Sequence, residues 1–176
     1  MGTLNRVAPF VVSLLVVLGD RGSKIAIRHS MSWLDSYSVI PGWLRIIHTE
    51  NPGAAFGILA HGNRWLRSGI LIGVSALVLV FVVSALVGRR TTFTGSLGRF
   101  ALGLILGGAA GNLYDRVVHG AVTDFIEVYY GSWSFPAFNV ADSAITVGAC
   151  LLLFELMNPR HKPVPEPHPL VGRSGS

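Results

Sequence analysis

Two of the chain's nine acidic residues sit where a carboxyl group could do proton chemistry. Asp124 lies in AVTDFIEV, an apolar run without an adjacent basic residue, and desolvation there works against the ionised form. Asp142 lies in FPAFNVADSAIT, three residues after Asn139 and shortly after Pro136. Two carboxyls brought together in a low-dielectric site cannot both ionise easily, so they tend to share one proton. Such a pair can hydrolyse a peptide: the ionised member takes a proton from water while the protonated member polarises the scissile carbonyl, and the two titrate as a unit. Neither a metal nor a covalent intermediate is required. The Asn139/Asp142 spacing is also that of a capping box, with Asn139 as N-cap and Asp142 answering the positive end of a helix. The sequence leaves both readings open.

A second group of polar residues ends the segment ALGLILGGAAGNLYDR. Gly103, Gly107 and Gly111 recur every four residues and predict a stripe on which a neighbouring helix can come close. Asp115 continues that stripe. Asn112 stands at i, i+3 to Asp115 and i, i+4 to Arg116, so the stripe ends in an amide, a carboxylate and a guanidinium. The adjacent Arg116 is expected to hold Asp115 ionised. Asp20 and Lys24, at i, i+4, read as an ion pair. Ser23 and Lys24 are neighbours that a helix would point apart, which disfavours a Ser/Lys dyad. Cys150 is the lone cysteine, and none of the six histidines sits at i, i+4 to another, so no metal or other cofactor is expected.

Composition says what must position these groups. Of 176 residues, 51% are hydrophobic and 13% charged, and mean hydropathy is +0.54, whereas a soluble domain carries roughly 25% charged residues. Lipid is the implied solvent. The net charge of +5 is scattered or flanks apolar runs, which argues against nucleic acid and for anionic headgroups. Gly69 to Val87 has no charge and reads as a transmembrane helix. Three further stretches reach bilayer length only by absorbing the polar residues named above. They give an all-α membrane protein with spans near residues 7–27, 67–87, 97–117 and 137–157, one domain over residues 1–158, and a disordered cytoplasmic tail over 159–176. Ionisable groups at membrane depth are costly, so they are expected to face a partner or a wet cavity. Arg89, Arg90 and Arg99, with Arg160, Lys162 and Arg173, place both termini in the cytoplasm by the positive-inside rule. The runs YSVI and WLRIIHTEN, separated by Pro41 and Gly42, predict a small extracytoplasmic β-hairpin between the first two spans. Trp33, Trp43, Trp65, Tyr129, Tyr130 and Trp133 suit an interfacial aromatic belt. Besides a peptidase, the intramembrane carboxylates would suit a cation relay, and the glycine stripe a membrane scaffold.

GNLYDR at 111–116, VTDF around Asp124 and FNVADSA around Asn139 and Asp142 closely resemble the lipoprotein signal peptidase family, signal peptidase II. Two further family blocks occur in order: D-x-x-S-K as Asp20 to Lys24, and N-x-G-A-A-F as Asn51 to Phe56. The resemblance covers nearly everything from Val7 to Met157. It implies a metal-independent aspartic endopeptidase of the bacterial cytoplasmic membrane that cuts diacylglyceryl-modified prolipoproteins before the lipidated cysteine. It implies Asp124 and Asp142 as the catalytic pair, with Asn112, Asp115, Arg116 and Asn139 shaping the site and Asp20, Lys24 and Asn51 near the substrate. Sensitivity to globomycin-type inhibitors is implied too, and a monomer is expected. One departure is Arg21, where the family usually has glutamine.

Overall fold

The computed structural model describes residues 3–53, 64–88 and 95–157. Elements run α1 (Thr3–Ser30), β1 (Ser36–Ile40), β2 (Leu44–Asn51), α2 (Arg64–Val87), α3 (Ser96–Val118), β3 (Val122–Tyr130), β4 (Trp133–Ser134) and α4 (Val140–Met157). The proposed tail, Trp65 as a belt side chain, and the last three residues of NPGAAF lie outside the described residues.

Helix α3 is the centre of the helical part, packed against α1, α2 and α4. Its glycines explain how. A Cβ at Gly103 would lie 2.6 Å from the Pro9 carbonyl oxygen, and one at Gly107 2.7 Å from that of Ser13, so the stripe receives the backbone of α1. A second contact, unforeseen in the sequence, sets Gly148 of α4 against Ala101 and Ile105 of α3. Leu102 and Leu106 of α3 close on Val82 and Leu86 of α2 to form the buried apolar cluster. The outer faces are as apolar as this core: Val7, Phe10, Val11, Leu14, Leu15 and Leu18 of α1 and Leu66, Ile70, Val74, Leu77 and Phe81 of α2 are all exposed. Apolar side chains turned outward along whole helices suit hydrocarbon, not water. Leu66–Val87 and Val140–Met157 are long and apolar enough to cross a membrane, with mean hydropathies of 3.0 and 1.8.

The strands on either side of Pro41 and Gly42 pair antiparallel as β1 and β2. Pro41 and Gly42 occupy the centre of a turn in which Trp43 N–H donates to the Ile40 carbonyl at 3.0 Å and Gly42 has φ +81°, the proline–glycine pattern of a type II turn. The sheet is larger than a hairpin, so "all-α" needs correcting. β3 comes from the connection between α3 and α4 and pairs antiparallel with β2, giving the order β1-β2-β3-β4. The nine residues VTDFIEVYY are β-branched, aromatic or acidic and run between Gly120 and Gly131, a strand signature bounded by turn glycines. The fourth apolar stretch becomes helical only at Val140, because Phe138 is held in an antiparallel bridge to Ile126 of β3.

Candidate active site

The polar residues of five elements converge at one end of the helices: the C-terminal parts of α1 and α3, the first turn of α4, and strands β2 and β3. Asp20 and Lys24 of α1 and Asp115 of α3 are completely buried. Gly111 makes room for them, since a Cβ there would lie 2.6 Å from the Asp20 carboxylate. The Lys24 ammonium reaches Asp20 Oδ2 at 2.7 Å, Asp115 Oδ2 at 2.8 Å and Asn112 Oδ1 at 3.2 Å. The predicted Asp20–Lys24 ion pair is thus one side of a larger cluster. Arg21 and Arg28, one turn before and one turn after Lys24 on the same face of α1, reach Asp115 Oδ1 at 2.7 and 3.4 Å. This corrects the expectation for Asp115: the cations that hold it come from α1, whereas Arg116 turns to the Asn112 carbonyl at 3.2 Å. Ser23 donates to the Asp20 carbonyl at 2.9 Å, away from Lys24.

The neighbouring carboxyls are held differently. Asp124, on β3, is 3% exposed. It accepts from the Asn139 side-chain amide at 2.7 Å and the Asn51 amide at 3.0 Å. Asp142 accepts from the Asn112 amide at 2.7 Å and from the Asn139 backbone N–H at 3.3 Å. Asn139 Oδ1 in turn accepts from the Asp142 backbone N–H at 3.0 Å. The capping box is therefore real, and it coexists with the bond from the Asn139 side chain to Asp124. One residue, Asn139, donates to Asp124 with its side chain and to Asp142 with its backbone. Among the described residues no cation forms an ion pair with either carboxylate. Burial is the main cause pushing Asp124 up to about 6; the Asn51 and Asn139 amides and Lys24 pull it down, and the Asp142 charge pushes it further up.

Four residues of this region were not singled out as site residues from the sequence: Arg21, Arg28, Glu50 and Thr123. Thr123 and Asp124 are consecutive on β3 and so face opposite sides of the sheet. Thr123 Oγ1 accepts from Arg28 at 2.7 Å and donates to Glu50 at 2.8 Å, which joins the sheet to the cation cluster. For the arginines a signal existed. Arg21, Lys24 and Arg28 are spaced three and four residues apart, the repeat of one helical face. Arg21 also lies 4.1 Å over the Tyr114 ring. Across the whole assembly the four cations Arg21, Lys24, Arg28 and Arg116 face five carboxylates, Asp20, Glu50, Asp115, Asp124 and Asp142.

A family model described as "Signal peptidase (SPase) II" matches residues 12–158. The chain is 42% identical over 151 residues to the lipoprotein signal peptidase of Solibacter usitatus, covering 86% of this chain and 91% of that one. It is also 42% identical over 147 residues to the lipoprotein signal peptidase of Yersinia enterocolitica, covering 82% and 83%. Its fold is similar to a bacterial membrane enzyme solved by the in meso method at 1.9 Å resolution, with a TM-score of 0.73 and 31% identity over 86% of this chain and 93% of that one. A paired carboxyl site, a helical body with an outward apolar surface and these likenesses agree: the chain belongs to the signal peptidase II family of membrane aspartic proteases.

Proposed function

We propose that this protein removes the signal peptide of diacylglyceryl-modified prolipoproteins by cutting before the lipidated cysteine, with Asp124 and Asp142 as its catalytic pair. The observation that carries the reading is the tie of both carboxylates to Asn139, one through its side-chain amide at 2.7 Å and the other through its backbone N–H at 3.3 Å. Carboxyls linked through one residue are placed to grip one water between them. Asp124, buried and shifted to about 6, holds the shared proton and hydrogen-bonds the scissile carbonyl oxygen. Asp142 stands in the first turn of α4, where the helix end favours negative charge, and takes the proton from water as it attacks the carbonyl carbon. The tetrahedral intermediate collapses when a proton passes to the leaving amine, and the pair returns to its single-proton state.

The same reading gives the setting. All four helices span the bacterial cytoplasmic membrane, both termini are cytoplasmic, and the site opens at the extracytoplasmic face. Its support is that the charges of α1 and α3 gather at their C-terminal ends and Asp142 at the N-terminal end of α4, all at one end of the bundle. Exposed Trp33, Trp43, Tyr130 and Trp133 belong to the segments at that end, as an interfacial belt requires. Acyl chains of the substrate then arrive laterally from the lipid while the peptide enters beneath the sheet. The protein acts as a monomer on lipid-borne substrate and is blocked by globomycin-type inhibitors. The test is cleavage of a purified diacylglyceryl precursor in liposomes, with and without chelator, by the protein and its Asp124→Asn and Asp142→Asn variants. Chelator-insensitive cutting before the cysteine, lost in both variants, supports the proposal. Full turnover by either variant ends it.

A further inference from the structure

Three asparagine amides donate to the catalytic pair, and in each the carbonyl and amino ends are alike in shape, so each could be turned end for end. The turn matters. With its N–H₂ toward an aspartate an amide stabilises the carboxylate; with its oxygen there it favours the protonated acid. Two of the three are oriented by backbone. Asn51 Oδ1 accepts from Gly53 N–H at 2.8 Å, and Asn139 Oδ1 from Asp142 N–H at 3.0 Å, so their amino groups must face Asp124. The third, Asn112, has its Oδ1 against the Lys24 ammonium at 3.2 Å, with the Asn139 amide at 3.5 Å, and its amino group against Asp142 at 2.7 Å.

We propose that Lys24 is a positioning residue that locks the Asn112 amide and thereby holds Asp142 as the charged member of the pair; this rests on the reading of Asp124 and Asp142 as catalytic. An ammonium has three donors and no acceptor, and Lys24 places one each on Asp20, Asp115 and Asn112. A turned Asn112 would set N–H₂ against NH₃⁺ and against the Asn139 amide, and an oxygen against a carboxylate, three repulsions for three lost hydrogen bonds. Lys24 thus reaches the reaction through Asn112 without touching the reacting atoms. Its two carboxylate partners are what keep the ammonium in place, so the ion-pair cluster acts on the site through the direction of a single amide. The charged groups around Lys24 and the pair are Asp20, Arg21 and Arg28 from α1, Asp115 and Arg116 from α3, and Glu50 from the adjoining strand β2.

The experiment measures kcat and KM on a diacylglyceryl precursor over a pH series for the full-length protein, Lys24→Met, Asn112→Leu and the double variant. Lys24→Met is expected to lower kcat by roughly 10- to 100-fold, the weight of one charge-assisted hydrogen bond. KM should stay within about twofold, and the acid limb of the profile should rise by about one pH unit. Asn112→Leu should give the same rise, and Lys24→Met should then add less than about twofold in the Asn112→Leu background. Full additivity, an unmoved acid limb, or a change confined to KM overturns the inference. Should Lys24→Met not accumulate in the membrane, Asp20→Asn/Lys24→Met removes a cation and an anion together and must show the same limb. Asn112→Leu keeps Lys24, so an unmoved limb in that variant alone is decisive against the proposal. Failure of the dyad reading is seen separately, as turnover retained by Asp124→Asn or Asp142→Asn.

Discussion

Asp115 and Asp124 are equally hidden from solvent, 0% and 3% exposed, yet their surroundings are opposites. Asp115 is met by Lys24, Arg21 and Arg28. Asp124 is met by two neutral amides. Partners that carry charge compensate a buried carboxylate, whereas at Asp124 burial outweighs the neutral donors and pushes the carboxyl up to about 6, where it can exchange a proton near neutrality. The floor of charges and the amide-lined pair above it therefore divide the work. The first holds helices α1 and α3 together, and the second surrounds Asp124 with neutral donors.

The largest effects should fall on the pair. Asp124→Asn and Asp142→Asn should each lower turnover about 10³-fold or more, with the protein still accumulating in the membrane, as measured by precursor cleavage against immunoblot. Asp115→Asn should do the reverse. It leaves three cations around a neutral group, and breaking a buried pairing of this kind costs about 3 to 5 kcal/mol, read as a lowered thermal midpoint in detergent. If Asp115→Asn were stable and inactive instead, the contrast between the regions would be broken.

Stability against pH sharpens it further. The folded-state value of Asp124, about 6, exceeds that of an unfolded aspartate, about 3.9. A raised carboxyl favours the fold fully at pH below the unfolded value, and that contribution is lost as pH rises through the folded value. Asp124→Asn, which never ionises, should accordingly be more stable than the parent above about pH 6 by on the order of 2 to 3 kcal/mol, with the gap closing below about pH 4. Equal stability across that window would deny the strain of ionising Asp124. Asn51→Ala removes a donor that pulls Asp124 down. It should raise the alkaline limb of the activity profile, which the protonated Asp124 sets, and cost roughly tenfold in kcat. Smallest of all, Thr123→Val removes the hydroxyl that bonds Arg28 and Glu50 but leaves their direct ion pair at 3.4 Å, and should cost about 1 kcal/mol of stability with turnover within about threefold, although its neighbour on the strand is Asp124.

Where the sequence was readable, local physics was strong. An uncharged run wrote α2, a proline–glycine pair wrote the β1–β2 turn, and the spacing of Asn139 and Asp142 wrote the cap. The glycine stripe announced close approach, although only the structure names α1 as the helix received. What stayed hidden was long-range. β3 pairs with β2 across some seventy residues of chain, as in Thr49 opposite Asp124 and Glu50 opposite Thr123, and no window along the sequence contains both partners. The same gap concealed Thr123 and Glu50. Arg116 was assigned to Asp115 on adjacency, yet successive residues on a helix point about 100° apart, and the arginines that reach Asp115 are those of another helix.

The bridge between Ile126 and Phe138 closes the connection between the two acids into a ring. Asp124 and Asn139 are pinned on either side of it, whereas the exposed bend around Gly131, with φ +59°, lies at the far tip. Insertions at the tip can lengthen the ring without altering its neck, but one added residue between Phe138 and Asn139 would turn the amide away from Asp124. Length variation among natural homologues should consequently collect at the bend and vanish from the three positions before α4.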